Sequence, residues 1–191
     1  TALQIATSGS CDYNFGLYYP GETCITDNPR FAVTCFTNGD PTDPSNNGDI
    51  SVVGFSADFI DWNVPLNEQS PAATKTSIEE MQNVGPIWGM ALDSETEQLY
   101  MNAVVKRHVG AGPDGIGVVY QKDYNAAAGS GLSVYYDFGT SAGSATIPNY
   151  ATRFSTGIGS SPTRLGDNID PDVFDDVGKV GLGGVAVNTG G

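Results

Sequence analysis

Positive charge is scarce in this chain. Eight Lys and Arg and a single His stand against 22 Asp and Glu, for a formal net charge of −14 over 191 residues. Such a surface repels phosphate backbones and anionic membranes, which excludes nucleic-acid binding as a reading. No run of 18 apolar residues occurs, so no transmembrane helix is predicted. Cysteine is also scarce: Cys11, Cys24 and Cys35 all lie in the first fifth of the chain, with no C-x-x-C pair and His108 far away, which argues against zinc. Helix signals are nearly absent. Charged residues make up 16% of the chain, below the roughly 25% of ordinary soluble domains.

Glycine, proline and aromatics are abundant. With 25 Gly, 11 Pro, nine Tyr, eight Phe and two Trp, and with many short apolar runs, the composition predicts an all-β fold with long Gly/Ser/Asp-rich loops. The aromatic content supplies enough apolar area to exclude disorder. The length fits one β-rich domain, 1–191: a cysteine-bearing segment 1–49, a central hairpin region 50–138, a long loop or insertion 139–178, and a further strand from 179. The chain opens at Thr1 without a charged-then-apolar leader, which reads as a mature or trimmed product, a removed leader staying open.

The low lysine content and the cysteines favour an oxidising compartment, hence an extracellular or cell-surface protein. Cys24–Cys35 is the preferred disulfide, because it closes a short loop containing the turn-forming pair Asn28-Pro29. Cys11 is then left over, as a free thiol or as partner of a cysteine outside the chain. Cys11–Cys24 fits nearly as well, since spacing alone does not decide connectivity.

Strands are predicted over 2–7, 13–19, 31–36, 50–55, 59–64, 87–92, 99–105, 118–120 and 132–138, from alternation and apolar runs bounded by turn residues. Ser77-Ile78-Glu79-Glu80 carries a capping-box pattern that predicts one helical turn over 78–82. Residues 85–120 form the organising unit: three antiparallel strands joined by the polar turn 93–97 and the Gly-rich loop 110–117. Its middle strand runs into Lys106-Arg107-His108. In an alternating strand Lys106 and His108 share one face and Arg107 takes the other. The triplet is a candidate site for an anion such as a glycan carboxylate, a sulfate or the acidic face of a neighbour. The structural alternative pairs Arg107 with Asp93 or Asp114.

The acids supply two candidate calcium clusters. Asp40, Asp43 and Asp49 lie in a turn-rich loop without EF-hand spacing, and Asp167, Asp170, Asp172, Asp175 and Asp176 crowd ten residues near the C-terminus. Calcium is the one cofactor expected. Turn chemistry and solvation are the alternatives for both clusters. No Gly-x-Ser-x-Gly elbow accompanies His108 (Ser130 sits in Gly129-Ser-Gly), and Gly110-Ala-Gly-Pro-Asp-Gly lacks the lysine and helix of a phosphate loop. The 22 acids offer no distinguishing pair for glycoside hydrolysis. The chain is therefore read as non-enzymatic.

The stretch 179–189 repeats the pattern of 84–94, hydrophobic-x-Gly-hydrophobic-Ala-hydrophobic-Asp/Asn, as a repeated strand-then-turn unit of the kind that begins propeller blades. The second copy ends at its turn, so a free strand edge is expected to pair with another chain or with the rest of a longer polypeptide. Trp88-Gly-Met-Ala-Leu-Asp93, Leu99-Tyr-Met-Asn-Ala103, Lys106-Arg107-His108 and Gly112-Pro-Asp-Gly-Ile-Gly-Val-Val-Tyr120, with 34–41 and 177–187, resemble propeller-like regions of large secreted bacterial surface proteins, often joined to serine-aspartate-repeat B-like or other adhesin repeats. The resemblance implies a β-propeller-like scaffold in an extracellular adhesion or assembly module, and no catalytic residues. Two alternatives remain open: a calcium-dependent propeller hydrolase or lactonase, and a subunit of an extracellular filament or matrix.

Overall fold

The structure is a computed structural model, and it describes residues 30–41, 43–46, 48–56, 75–139, 170, 173 and 175–188. These residues are mostly β, in two antiparallel sheets. The first is a three-stranded meander, β1 (Arg30–Thr34), β2 (Ile50–Ser56) and β3 (Thr76–Glu80). One helical turn, α1 (Met81–Val84), leads into a four-stranded meander, β4 (Ile87–Asp93), β5 (Gln98–Ala103), β6 (Val118–Asp123) and β7 (Leu132–Asp137). The predicted strands 2–7, 13–19 and 59–64 lie outside the described residues.

Alternation explains the packing. Leu99, Met101 and Ala103 of β5 and Val118 and Tyr120 of β6 point to one face and are buried with Val52 and Ile78 of the first sheet and Val84 and Ile87 between them. The two sheets therefore share one core, face against face. Burying each such side chain contributes roughly 1.5–3 kcal/mol. At one end the Arg30 guanidinium lies 4.3 Å over the Tyr124 ring and donates to Asn125 Oδ1 at 2.6 Å, tying β1 to the β6–β7 turn.

The predicted capping box is corrected. Ser77 pairs with Val53 and Glu79 with Val52, so 76–80 is strand and the helical turn starts at Met81. Glu80 occupies the N-cap position with extended backbone and no side-chain cap. Burial of Ile78 against Val52 overrides the local signal, as tertiary packing commonly does.

At the other end the long connections of the two sheets dock on each other. Gly39 N donates to His108 O at 2.9 Å and Gly110 N donates to Gly39 O at 2.9 Å, a short parallel ladder. Beneath it the backbone of Gly85 crosses that of Gly112. A Cβ on Gly85 would stand 2.2 Å from Gly112 N, and one on Gly112 would stand 2.4 Å from the Val84 carbonyl carbon. The second connection docks in turn on the C-terminal part: Val105, Ala111 and Ile116 bury with Val173, and Val104 bridges Gly181.

The predicted strand from 179 is corrected as well. Beyond the single bridge at Gly181, residues 182–188 have no strand pairing and run as an irregular strap over the outer face of the second sheet.

Met101→Ala is expected to cost about 2–5 kcal/mol of unfolding free energy in a urea titration, the usual range for emptying a packed core site. Gly112→Ala is expected to cost about 1–3 kcal/mol by overpacking. Gly184→Ala, where a Cβ meets open space, should stay within about 0.5 kcal/mol of the parent protein.

Candidate functional site

The Lys-Arg-His triplet does not sit on a strand, which corrects its expected geometry. β5 ends at Ala103; Lys106 bridges Val109, and Arg107 and His108 form the turn between them, with Val109 N donating to Lys106 O at 3.3 Å. His108 adopts φ +65°, a left-handed backbone that histidine tolerates better than most residues. The cause is nonlocal: the His108 carbonyl accepts from Gly39, and its N–H donates to Asp170 Oδ2 at 2.8 Å. Lys106 Nζ lies 4.8 Å from the Phe36 ring centroid, a cation–π contact, and Arg107 is exposed. The triplet thus forms a turn held from outside through the His108 backbone, in place of the alternating strand expected for it. Of the acids proposed for Arg107, Asp93 accepts from Glu95 N, Thr96 N and Thr96 Oγ1, which holds its carboxyl below the ordinary Asp range, and Asp114 accepts from the Tyr120 hydroxyl at 3.1 Å.

Of the calcium candidates, Asp40 and Asp49 line one small pocket with Asn46. Around Asp40, Asp43 and Asp49 the backbone makes successive turn bonds, Asp43 N to Asp40 O, Asn46 N to Asp43 O and Asp49 N to Asn46 O. Asp170 is buried and holds His108, while Asp175 and Asp176 lie in a turn. Asp167 and Asp172 lie outside the described residues. Among the described residues no three His, Cys, Asp or Glu side chains converge as a metal-holding group. Cys35 is half-buried, and both Cys24 and Cys11 lie outside the described residues, as does the proposed pairing.

Two buried charges have no counterpart in the sequence reading. Lys122, on the core face of β6, is fully enclosed, and its ammonium donates to the carbonyls of Ala126, Ala127 and Ser130 at 2.9, 3.0 and 2.6 Å. Glu79 Oε1 accepts from Asn83 Nδ2 at 2.7 Å, Gly129 N at 2.9 Å and Glu80 N at 3.1 Å. Burial pushes the Lys122 pKa down, and the nearby charges of Glu79 and Asp123 oppose that shift. A buried amine with a lowered pKa is a candidate nucleophile. Here all three hydrogens are spent on one turn, so Lys122 is a clamp that folds the β6–β7 connection over β6, while Glu79 ties the same connection to the first sheet through Gly129 N.

The chemically open surface is the outer face of the second sheet. In β4 the pairing jumps from Ile87↔Ala103 to Gly89↔Asn102, so Trp88 is the extra residue of a bulge and stands 59% exposed. In β7 a second register shift gathers Tyr135 and Tyr136 with Tyr100 and Phe138 along one groove of about 450 Å3. The Tyr100 and Tyr135 rings meet edge-on at 5.0 Å, and those of Tyr136 and Phe138 at 4.6 Å. The strap crosses this face at Gly89, where a Cβ would stand 2.2 Å from Asn102 Oδ1 and 2.8 Å from Gly183 O; Asn102 Nδ2 donates to that carbonyl. On the other side of the crossing, Trp88, 104–106 and 177–183 enclose a groove of about 440 Å3. The adjacent pair Tyr135-Tyr136 is the sequence signal that could have revealed this bulged aromatic edge, which a plain strand over 132–138 does not contain.

Compared with known proteins, the chain matches no family model, no curated protein and no solved structure.

Lys122→Met is expected to cost about 1–3 kcal/mol, because it leaves buried acceptors unpaired. The pH dependence has a definite sign. Folding lowers the Lys122 pKa, so between the folded value and the ordinary value near ~10.4 the unfolded chain binds more protons and stability rises with pH. The penalty is fully present below the folded pKa. Urea titrations should therefore show the parent gaining stability relative to Lys122→Met as pH climbs from the folded pKa toward the ordinary value near ~10.4; a flat or falling difference in that window would contradict the assignment.

Proposed function

We propose that this chain is a non-enzymatic extracellular module, propeller-like in its stacking of consecutive meanders, that works by adhesion and assembly through its β edges. The observation that carries the reading is the β7 edge. Among the described residues β7 has β6 as its one neighbour, and Val134, Tyr135, Tyr136 and Phe138 along it are 43–60% exposed. An exposed aromatic edge of this kind, bulged at Tyr135, is a template for an added strand, with backbone bonds giving affinity and the aromatic groove giving selectivity.

The propeller-like stacking is supported by three features. Each sheet is an antiparallel meander, the two share one core, and the strap 181–188 lies against the outer face of the second sheet. The acidic, lysine-poor composition suits an extracellular surface.

Sedimentation velocity on the full chain is expected to show association that grows with concentration, and Val134→Lys combined with Tyr136→Lys should abolish it without changing the far-UV spectrum. Amide exchange reads the same edge, since β7 amides facing away from β6 should be slowed on association. A monomer at every concentration, with those amides already as protected as β6, would overturn the reading.

A further inference from the structure

Trp88 and the groove beside it are unlike the rest of the surface. The β4 bulge turns the indole out of the core although both sequence neighbours are fixed in place, Ile87 fully buried and Gly89 under the strap. The groove of about 440 Å3 that it lines falls within the ~300–1,000 Å3 of small-ligand sites. Its wall from 177 to 183 contains Gly178, Gly181 and Gly183, so backbone polar groups border it without side-chain cover.

Among the described residues the groove is lined by two charged side chains, Lys106 and Lys179, and by no Asp or Glu, in a protein with 22 acids and eight Lys and Arg. Lys106 is held over the Phe36 ring, and Lys179 is exposed on the facing turn. An exposed indole beside two ammonium groups is chemistry for a ligand with a flat C–H face and a negative charge.

We infer that this groove binds an anionic saccharide residue, its ring stacked on Trp88 and its carboxylate or sulfate held by Lys106 and Lys179. The inference deepens the adhesion reading and rests on it. An acidic peptide would satisfy the lysines, but it has no rigid apolar ring face to match the indole, and the saccharide is therefore favoured.

The test uses the full chain and calorimetric titration with three probes: a glucuronate oligosaccharide, the same oligosaccharide with its carboxylates reduced to alcohols, and a glutamate oligomer. The acidic saccharide is expected to bind, more weakly as salt rises. Trp88→Ala should weaken binding about tenfold, ~1.4 kcal/mol, with Lys179→Gln and the reduced saccharide also weaker than the parent pair. A sulfated oligosaccharide then distinguishes the two anion types. No binding, equal binding by Trp88→Ala, or glutamate binding as tight as the saccharide would each overturn the inference. Both substituted side chains are exposed, and a retained unfolding transition confirms that each variant folds. Sedimentation of the same samples separates the two readings: lost saccharide binding with intact association removes this inference alone, while failure of association removes the assembly reading.

Discussion

The crossing of Gly85 over Gly112 is the contact on which the arrangement of the two sheets depends. Gly85 ends the helical turn α1 with φ +67°, its N–H donating to Met81 O, while its carbonyl accepts from the buried Ser51 hydroxyl at 2.6 Å. One residue thus joins β2, α1 and the β5–β6 connection. Two backbones approach this closely only where neither carries a Cβ. Because they do, the 104–117 connection lies low enough for Gly110 to reach Gly39, and Val105, Ala111 and Ile116 can close over Val173. The loop-on-loop ladder and the second small core follow from that one close approach.

The sheets were legible where one face of a strand is buried. β5 and β6 read correctly because Leu99, Met101, Val118 and Tyr120 all turn to the same core, whereas the exposed β7 read correctly from its valine and tyrosines. β3 did not, since Ser77 and Glu80 fit a helix start and the residue that decides against it, Val52, lies in another strand. The Lys-Arg-His turn failed for the same reason. Nothing local requires His108 to be left-handed; Gly39 and Asp170 impose it from outside. A weaker internal echo also escaped the sequence reading. Asp49-Ile-Ser-Val-Val and Gly115-Ile-Gly-Val-Val both enter the second strand of a hairpin after a long connection, and it is visible only once β1–β2 and β5–β6 are seen as equivalent pairs.

The site was less legible than the fold because bulges decide it. Whether Trp88 faces the core or the solvent depends on the register between β4 and β5, and a slip of one residue reverses every side chain beyond it. The same holds for Tyr135 and Tyr136. The two most enclosed charges were invisible for a related reason. The predicted strand stops at 120, and the 124–131 turn that supplies three carbonyls to Lys122 carries no local signal for a buried ammonium.

The strap gives the outer face its chemistry. Had 182–188 paired along an edge, its valines would have extended the sheet and left one continuous aromatic surface. Instead the Gly89–Asn102–Gly183 contact pins it across the strands. The crossing separates an indole with two lysines on one side from four aromatic rings with Val185 and Val187 on the other. Those two environments favour different partners, a charged polar ring in the first and an apolar strand in the second. On the proposed reading, saccharide binding and strand addition use opposite sides of that crossing on a single sheet face.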